Sequence, residues 1–143
     1  MDKYQVYYFS RTGNSERIAK KLANSLSCPL FRISDDVDWH GFGVYFKFRS
    51  YVKGKKSLTV ICNGNPDDAG EIIVVSPIWG SRLTPTVQKF LSVIKKDKVH
   101  VVMSSMMDHL RGGDGFKSVT EIVGIKKNEK TAIDNLLNRL RDS

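Results

Sequence analysis

Apolar residues follow two rhythms along this chain, and the rhythms alternate. Tyr4 to Phe9 (YQVYYF) is aromatic and β-branched, the composition of a buried strand. From Asn14 to Leu26 the period lengthens: Ile18, Leu22 and Leu26 share one helical face, with Ala19 and Ala23 beside them. Leu30 to Ile33 is a short second strand, and Glu71 to Ser76 (EIIVVS) is an apolar run of strand length, ended by Pro77. Thr84-Pro85 then has the form of a helix start, a capping hydroxyl followed by proline at the first helical position. Behind it Val87, Phe90, Leu91 and Ile94 recur at helical spacing. Val99 to Met103 is a further strand, Gly112-Gly113-Asp114-Gly115 a turn-rich loop, and Val119 to Ile125 the last strand. Glu129 to Leu140 closes the chain as a helix, with Ile133, Leu136, Leu137 and Leu140 inward. Over residues 35–56 the rhythm is hardest to read. Asp35 to Trp39 has loop character, and Gly41 to Lys56 is rich in aromatic and basic residues.

Strands interleaved with amphipathic helices predict an α/β domain whose parallel sheet is covered on both faces. A chain of 143 residues fits one such domain, residues 1–143. Sheets of this kind bind ligands beyond the carboxyl ends of their strands, where the strand order reverses. Composition adds little to that picture: 41% hydrophobic and 27% charged is the balance of an ordinary globular domain. No apolar stretch approaches the roughly 20 residues that span a bilayer. The opening Met1-Asp2-Lys3-Tyr4-Gln5 lacks a signal-peptide pattern, so the expected location is cytoplasmic. Cys28 and Cys62 lie far apart and outside any CxxC motif, as reduced cysteines of a cytosolic protein would.

Candidate chemistry begins directly after the first strand, at Ser10-Arg11-Thr12-Gly13-Asn14-Ser15. A Ser/Thr/Gly/Asn loop that opens a helix suits an anion. Backbone N–H groups converge there, hydroxyls add donors, and the helix end contributes about half a positive charge. The plainer alternative, Asn14 or Ser15 serving only as a helix cap, fits the same residues. Other phosphate-loop spellings fail. GxGxxG is missing, and Gly54-Lys55-Lys56-Ser57 has Arg49 where a Walker loop needs glycine.

The segment YYFSRTGNSERIAKKL resembles the strand–loop–helix that opens the flavodoxin family. Residues 72–91, IIVVSPIWGSRLTPTVQKFL, resemble that family's third strand, its flavin-flanking loop and the helix after it. Together the two segments cover about a quarter of the chain. The resemblance implies a flavodoxin-like, doubly wound sheet of five parallel strands in the order 2-1-3-4-5, in a single short-chain domain that binds FMN. It implies that Ser10, Thr12, Asn14 and Ser15, with the amides of Arg11 and Gly13, hold the FMN phosphate. Pro77, Ile78, Trp79 and Gly80, in the loop from Ser76 to Ser81, would lie along the isoalloxazine, with Trp79 as its stacking partner. The loop Ser104-Ser105-Met106-Met107-Asp108 would approach from the other side. There the chain departs from classical flavodoxins, because no Gly-Asp-x-x-Tyr pattern supplies a tyrosine and two methionines stand in the loop instead.

Two function classes follow. One is an electron carrier between a reductase and an acceptor, in which the chain supplies binding and electrostatics and the cofactor the chemistry. The other is a small FMN-dependent NAD(P)H oxidoreductase acting on a quinone or similar acceptor, for which the short loop 104–116 offers little wall. A flavin-free binding module of the same fold is disfavoured by the intact SRTGNS and SPIWGS loops. The net charge of +8 would attract acidic redox partner proteins. It is uneven: residues 1–56 carry 11 Lys/Arg against 5 Asp/Glu. The basic aromatic segment 42–56 has the composition of a single-stranded nucleic-acid surface, but the spacing of Val44, Phe48 and Tyr51 favours an amphipathic second helix, so no nucleic-acid partner is expected. His40, His100 and His109 have no metal-site spacing, and His100 is expected as a packed strand residue.

Overall fold

The structure is a computed structural model and describes residues 2–37, 39, 50–51 and 57–142. Its strands are β1 (Asp2–Tyr8), β2 (Leu30–Arg32), β3 (Ser34–Asp35), β4 (Val60–Ile61), β5 (Ala69–Trp79), β6 (Arg82–Leu83), β7 (Val99–Ser105) and β8 (Ser118–Val123). The described helices are α1 (Asn14–Leu26), α2 (Pro85–Leu91) and α3 (Ile125–Arg141). Five parallel strands form the central sheet in the order β2-β1-β5-β7-β8, which is the predicted 2-1-3-4-5. From β1 the chain goes first to β2 at one edge, then crosses to β5 and continues outward. The switch point therefore lies between β1 and β5.

Alternation along the strands divides the core into two layers. Val6, Ile73, Val75, Val102 and Ile122 face α1 and α3, meeting Ile18 and Leu22 of the first and Ile133, Leu136 and Leu140 of the second. Tyr7, Phe9, Ile72, Val74, Val101 and Met103 face the other way, onto Val87, Phe90 and Leu91 of α2. Because both faces are covered, residues 72–75 are all fully buried, which is why they read as an unbroken apolar run. At the amino end of the sheet, His100 is buried as expected. Its Nδ1 lies 2.7 Å from Ser118 Oγ and its Nε2 3.0 Å from Glu71 Oε1. Burial alone would raise the Glu71 carboxyl, but hydrogen bonds from His100 and Lys117 outweigh it and hold the group below its ordinary value. Among the described residues, no helix is long and apolar enough to cross a membrane.

Four boundaries differ from the sequence pattern. The strand expected to end at Pro77 continues to Trp79, then turns back through Gly80 and Ser81 into β6, pairing Ile78 with Leu83 and Trp79 with Arg82. Pairing of β5 with β1 stops at Tyr8–Val75, so Pro77 lies where one ladder has already ended and its missing N–H is tolerated. Gly80 and Ser81 have φ of 61° and 65°, the type I′ combination that matches strand twist. Likewise β7 runs on through Ser104 and Ser105, which the pattern placed in a loop. The last strand stops at Val123 rather than Ile125. Ile125 is buried at the start of α3, so that helix begins four residues earlier than its apolar spacing suggested. Finally, Ser34 and Asp35 pair antiparallel with Ile61 and Val60 instead of forming a loop. The predicted second helix in segment 42–56 lies outside the described residues apart from Ser50 and Tyr51.

Candidate functional site at the carboxyl end of the sheet

Adjacent strands β1, β5 and β7 bring three connections side by side, and all three are the predicted ones. In the first, Gly13 occupies the N-cap position of α1 with φ 94°, a conformation that suits glycine. A Cβ at Gly13 would meet no atom of the described residues within 4 Å, so the backbone angle is what favours glycine here. Asn14 and Ser15 are the first two helical residues, past the cap, and among the described residues no side chain caps the helix. The plain-cap alternative is thereby corrected. The contrast is α2, where Thr84 Oγ1 does accept the Val87 N–H. Ser10 Oγ accepts the Gly13 N–H at 2.9 Å, so this amide, expected to face a phosphate, is turned onto the loop's own serine. Arg11 and Thr12 are exposed, Ser10 and Asn14 half-buried, and Ser15 is buried.

Sequence pattern did not single out the residues behind this loop. Arg17 Nη1 donates to Asn14 Oδ1 at 3.0 Å, which leaves Asn14 Nδ2 directed at Thr12 Oγ1, 3.4 Å away. The rest of the guanidinium grips Glu129 of α3, Nη2 to Oε1 at 2.6 Å and Nε to Oε1 at 3.2 Å, while Lys21 Nζ reaches Oε2 at 2.6 Å. The Arg17 hydrogen bond holds the Glu129 carboxyl below its ordinary value, and Glu129 in turn raises Arg17. The available signal was Arg17 three residues after Asn14. Glu129 was obscured because the helix start was placed at that very residue.

In the second connection, Ile78 is buried and Trp79 half-buried, Trp79 lying beside the turn of the β5–β6 hairpin. The Trp79 ring meets Phe9 edge-on at 5.9 Å and Trp39 at 5.2 Å with a 63° tilt. Trp39, read from sequence as loop, is held in the core by Nε1 donating to Asp35 Oδ2 at 2.8 Å. Asp35 also accepts the Val37 N–H and the Thr86 hydroxyl. Three donors thus fix one carboxylate, and that carboxylate fixes the indole standing against Trp79.

The third connection leaves β7. Ser104 is buried, while Ser105 Oγ accepts the Asp108 N–H at 2.7 Å and donates to the Asp108 carbonyl at 2.8 Å. Glu121 then takes the Leu110 N–H at 2.9 Å and lies 2.8 Å from His109 Nδ1, whose hydrogen bond holds its carboxyl below the usual range. Arg111 N–H donates to Ser81 O at 2.6 Å, joining this loop to the hairpin. Between these anchors Met106 and Met107 are 72% and 84% exposed. Arg11, Arg82 and Arg111 are exposed along the same end. A groove of about 210 Å³ beside the hairpin is lined by Arg82, Arg111 and Lys96 over Leu83, Leu91 and Phe116. A larger cavity of about 320 Å³ lies at the opposite end of the molecule, beside Cys28, whose thiol burial pushes up to about 11.

No protein-family model matches the chain, and neither does any curated protein sequence. Solved structures do match. A flavoprotein from Lactobacillus acidophilus NCFM, determined in complex with FMN, aligns over 92% of this chain and 98% of its own, at 14% identity and a TM-score of 0.64. A flavodoxin from the domain Archaea aligns over 92% and 94%, at 15% identity and a TM-score of 0.51. The rubredoxin oxygen:oxidoreductase of Desulfovibrio gigas matches over 99% of this chain but 37% of its own, at 17% identity and a TM-score of 0.54. With the strand order and the shared architecture of these neighbours, the chain has the flavodoxin-like fold.

Proposed function

We propose that the protein is a cytoplasmic FMN-binding electron carrier of the flavodoxin kind. The observation that carries this reading is the loop from Ser10 to Ser15. Among the described residues, it ends on an α1 amino terminus with no side-chain cap and turns through a glycine whose Cβ position is open. Such an end offers converging N–H groups and a partial positive charge to a dianionic phosphate without needing a side-chain cation. Ser10, Thr12, Asn14 and Ser15, with the Arg11 amide, form the phosphate donor set in this reading. Pro77 to Gly80 flank one side of the ring and Ser104 and Ser105 the other. The FMN complex of the Lactobacillus neighbour supports the same cofactor for this fold. When bound, FMN supplies the redox chemistry; the chain orients it and shapes its electrostatic surroundings.

A carrier fits better than an enzyme because the loop after β7 is short and tied down at Ser105, Glu121 and Ser81. One observation favours the second reading, an NAD(P)H oxidoreductase: the cationic groove of Arg82, Lys96 and Arg111 suits a dinucleotide phosphate as well as an acidic side chain. Two measurements decide. Thr12→Ala with Asn14→Ala removes two contacts to a charged group, each worth about 1.5–3 kcal/mol. FMN affinity should fall by tens-fold or more with riboflavin nearly unchanged; equal losses for both flavins refute the phosphate assignment. Bleaching of the FMN-loaded protein by NADPH alone would replace the carrier with the enzyme.

A further inference from the structure

We infer that Glu129, from the far end of the chain, is a positioning residue for the phosphate loop. Through Arg17 it fixes which way the Asn14 amide points. This rests on the FMN reading above. An asparagine amide is nearly symmetric in shape, so its two orientations differ only in which end, oxygen or NH₂, faces a ligand. A guanidinium can only donate. With Arg17 Nη1 at 3.0 Å, Asn14 must present Oδ1 to the arginine and Nδ2 to the loop, on the side of Thr12. A phosphate only accepts, so this is the productive orientation.

The arginine itself needs support. It lies in the first turn of α1, where the helix dipole disfavours a cation. Glu129 offsets that with a carboxylate whose side chain is 6% exposed, gripped through Nε and Nη2, so the fork is aimed and its remaining Nη1 falls on Asn14. Tying α1 to α3 does not require this division of the fork, since Lys21 already reaches the same carboxylate. The two-sided grip is what a structural tie leaves unexplained. If the relay is cut, the amide is free to rotate and spends part of its time with Oδ1 toward the phosphate.

A double-mutant cycle tests this, with FMN and riboflavin dissociation constants measured at neutral pH for the wild type, Glu129→Gln, Asn14→Ala and the double variant. Glu129→Gln should weaken FMN by about fivefold to tenfold and riboflavin by less than about twofold, in line with coupling through one contact network. In the Asn14→Ala background the same change should cost FMN less than about twofold. Arg17→Lys, which keeps the charge and loses the fork, should repeat the pattern and serves if Glu129→Gln does not fold. An equal FMN loss in both backgrounds overturns the relay, as does an equal loss for both flavins or no loss at all. A wild type that fails to bind FMN brings down the cofactor reading and this inference together. That result is distinguishable from a wild type that binds while the variants stay flat.

Discussion

Trp79 stands at the meeting of two constraints. Its backbone closes the β5–β6 hairpin, and its ring is braced by Phe9 and by Trp39, the latter itself pinned to Asp35. An indole held this way keeps one orientation at low entropic cost, which a ring-stacking residue needs. Titrating FMN into apoprotein should therefore quench tryptophan fluorescence, and Trp79→Ala should lose most of the quenching. Trp39 lies 5.2 Å away, close enough to pass its excitation to Trp79, so Trp39→Phe should dim the signal while keeping the quenched fraction. Full quenching in the Trp79→Ala variant would show that Trp79 does not contact the flavin. Trp79 stood out in the sequence as a candidate because its neighbours resemble the flavin-flanking loop of the flavodoxin family. Trp39 was not, because its burial depends on Asp35, whose role comes from a pairing with β4 that no local pattern announces.

Between elements, the α1–α3 contact carries a buried carboxylate flanked by two cations that are 35% and 53% exposed. Glu129 is held below its ordinary value in the folded chain and returns to that value when unfolded. Between the two values the unfolded state binds the extra proton. The stabilisation is therefore complete above the ordinary carboxylate range and is lost as pH falls through the depressed folded value. Since Arg17 and Lys21 are partly solvated, the loss on Glu129→Gln at neutral pH should be about 1–2 kcal/mol, less than for a fully buried pair. Urea midpoints from pH 7 down to about 3 should show the gap between wild type and variant narrowing below the ordinary Glu value. A gap of constant size would mean that packing, not charge, explains it. The same element shows where sequence reasoning stopped. Helical period found the apolar face from Ile133 to Leu140, but the first turn of α3 opens with a β-branched Ile125 directly after a strand, and its period merges with the strand before it. Locating Glu129 required knowing where Gly124 turns the chain. Alternating elements made the covered parallel sheet readable, and its strand order came from the family resemblance; hairpin β5–β6 was not readable, because Pro77 signals a stop that pairing with β7 overrides.

For the whole molecule the dominant quantity is charge. The formal net charge is +8, and the connections at the carboxyl end of the sheet expose Arg11, Arg82 and Arg111 together with Met106 and Met107. We propose an acidic redox partner with an apolar patch as the complement to this surface. Arg82 and Arg111, with Lys96, line one groove, so their fields add at a single place instead of being spread over the surface. Charge of this kind acts mostly on encounter rate, and it is screened beyond about 8 Å at physiological salt. Distant lysines therefore contribute little, and the groove arginines should dominate. Electron transfer to the FMN-loaded protein from one acidic and one basic reductase, each followed across a salt series, separates the cases. The acidic donor should be fast at low salt and slow as salt is added, and the basic donor should do the reverse. Arg82→Glu with Arg111→Glu should cut the acidic donor's low-salt rate by about tenfold or more, well within the range over which electrostatic steering changes association. At high salt the variant and wild-type rates should converge, because screening removes the term that the substitutions reverse. Flat rates for both donors, or a double variant indistinguishable from wild type at low salt, would exclude a charge-steered docking face at these loops.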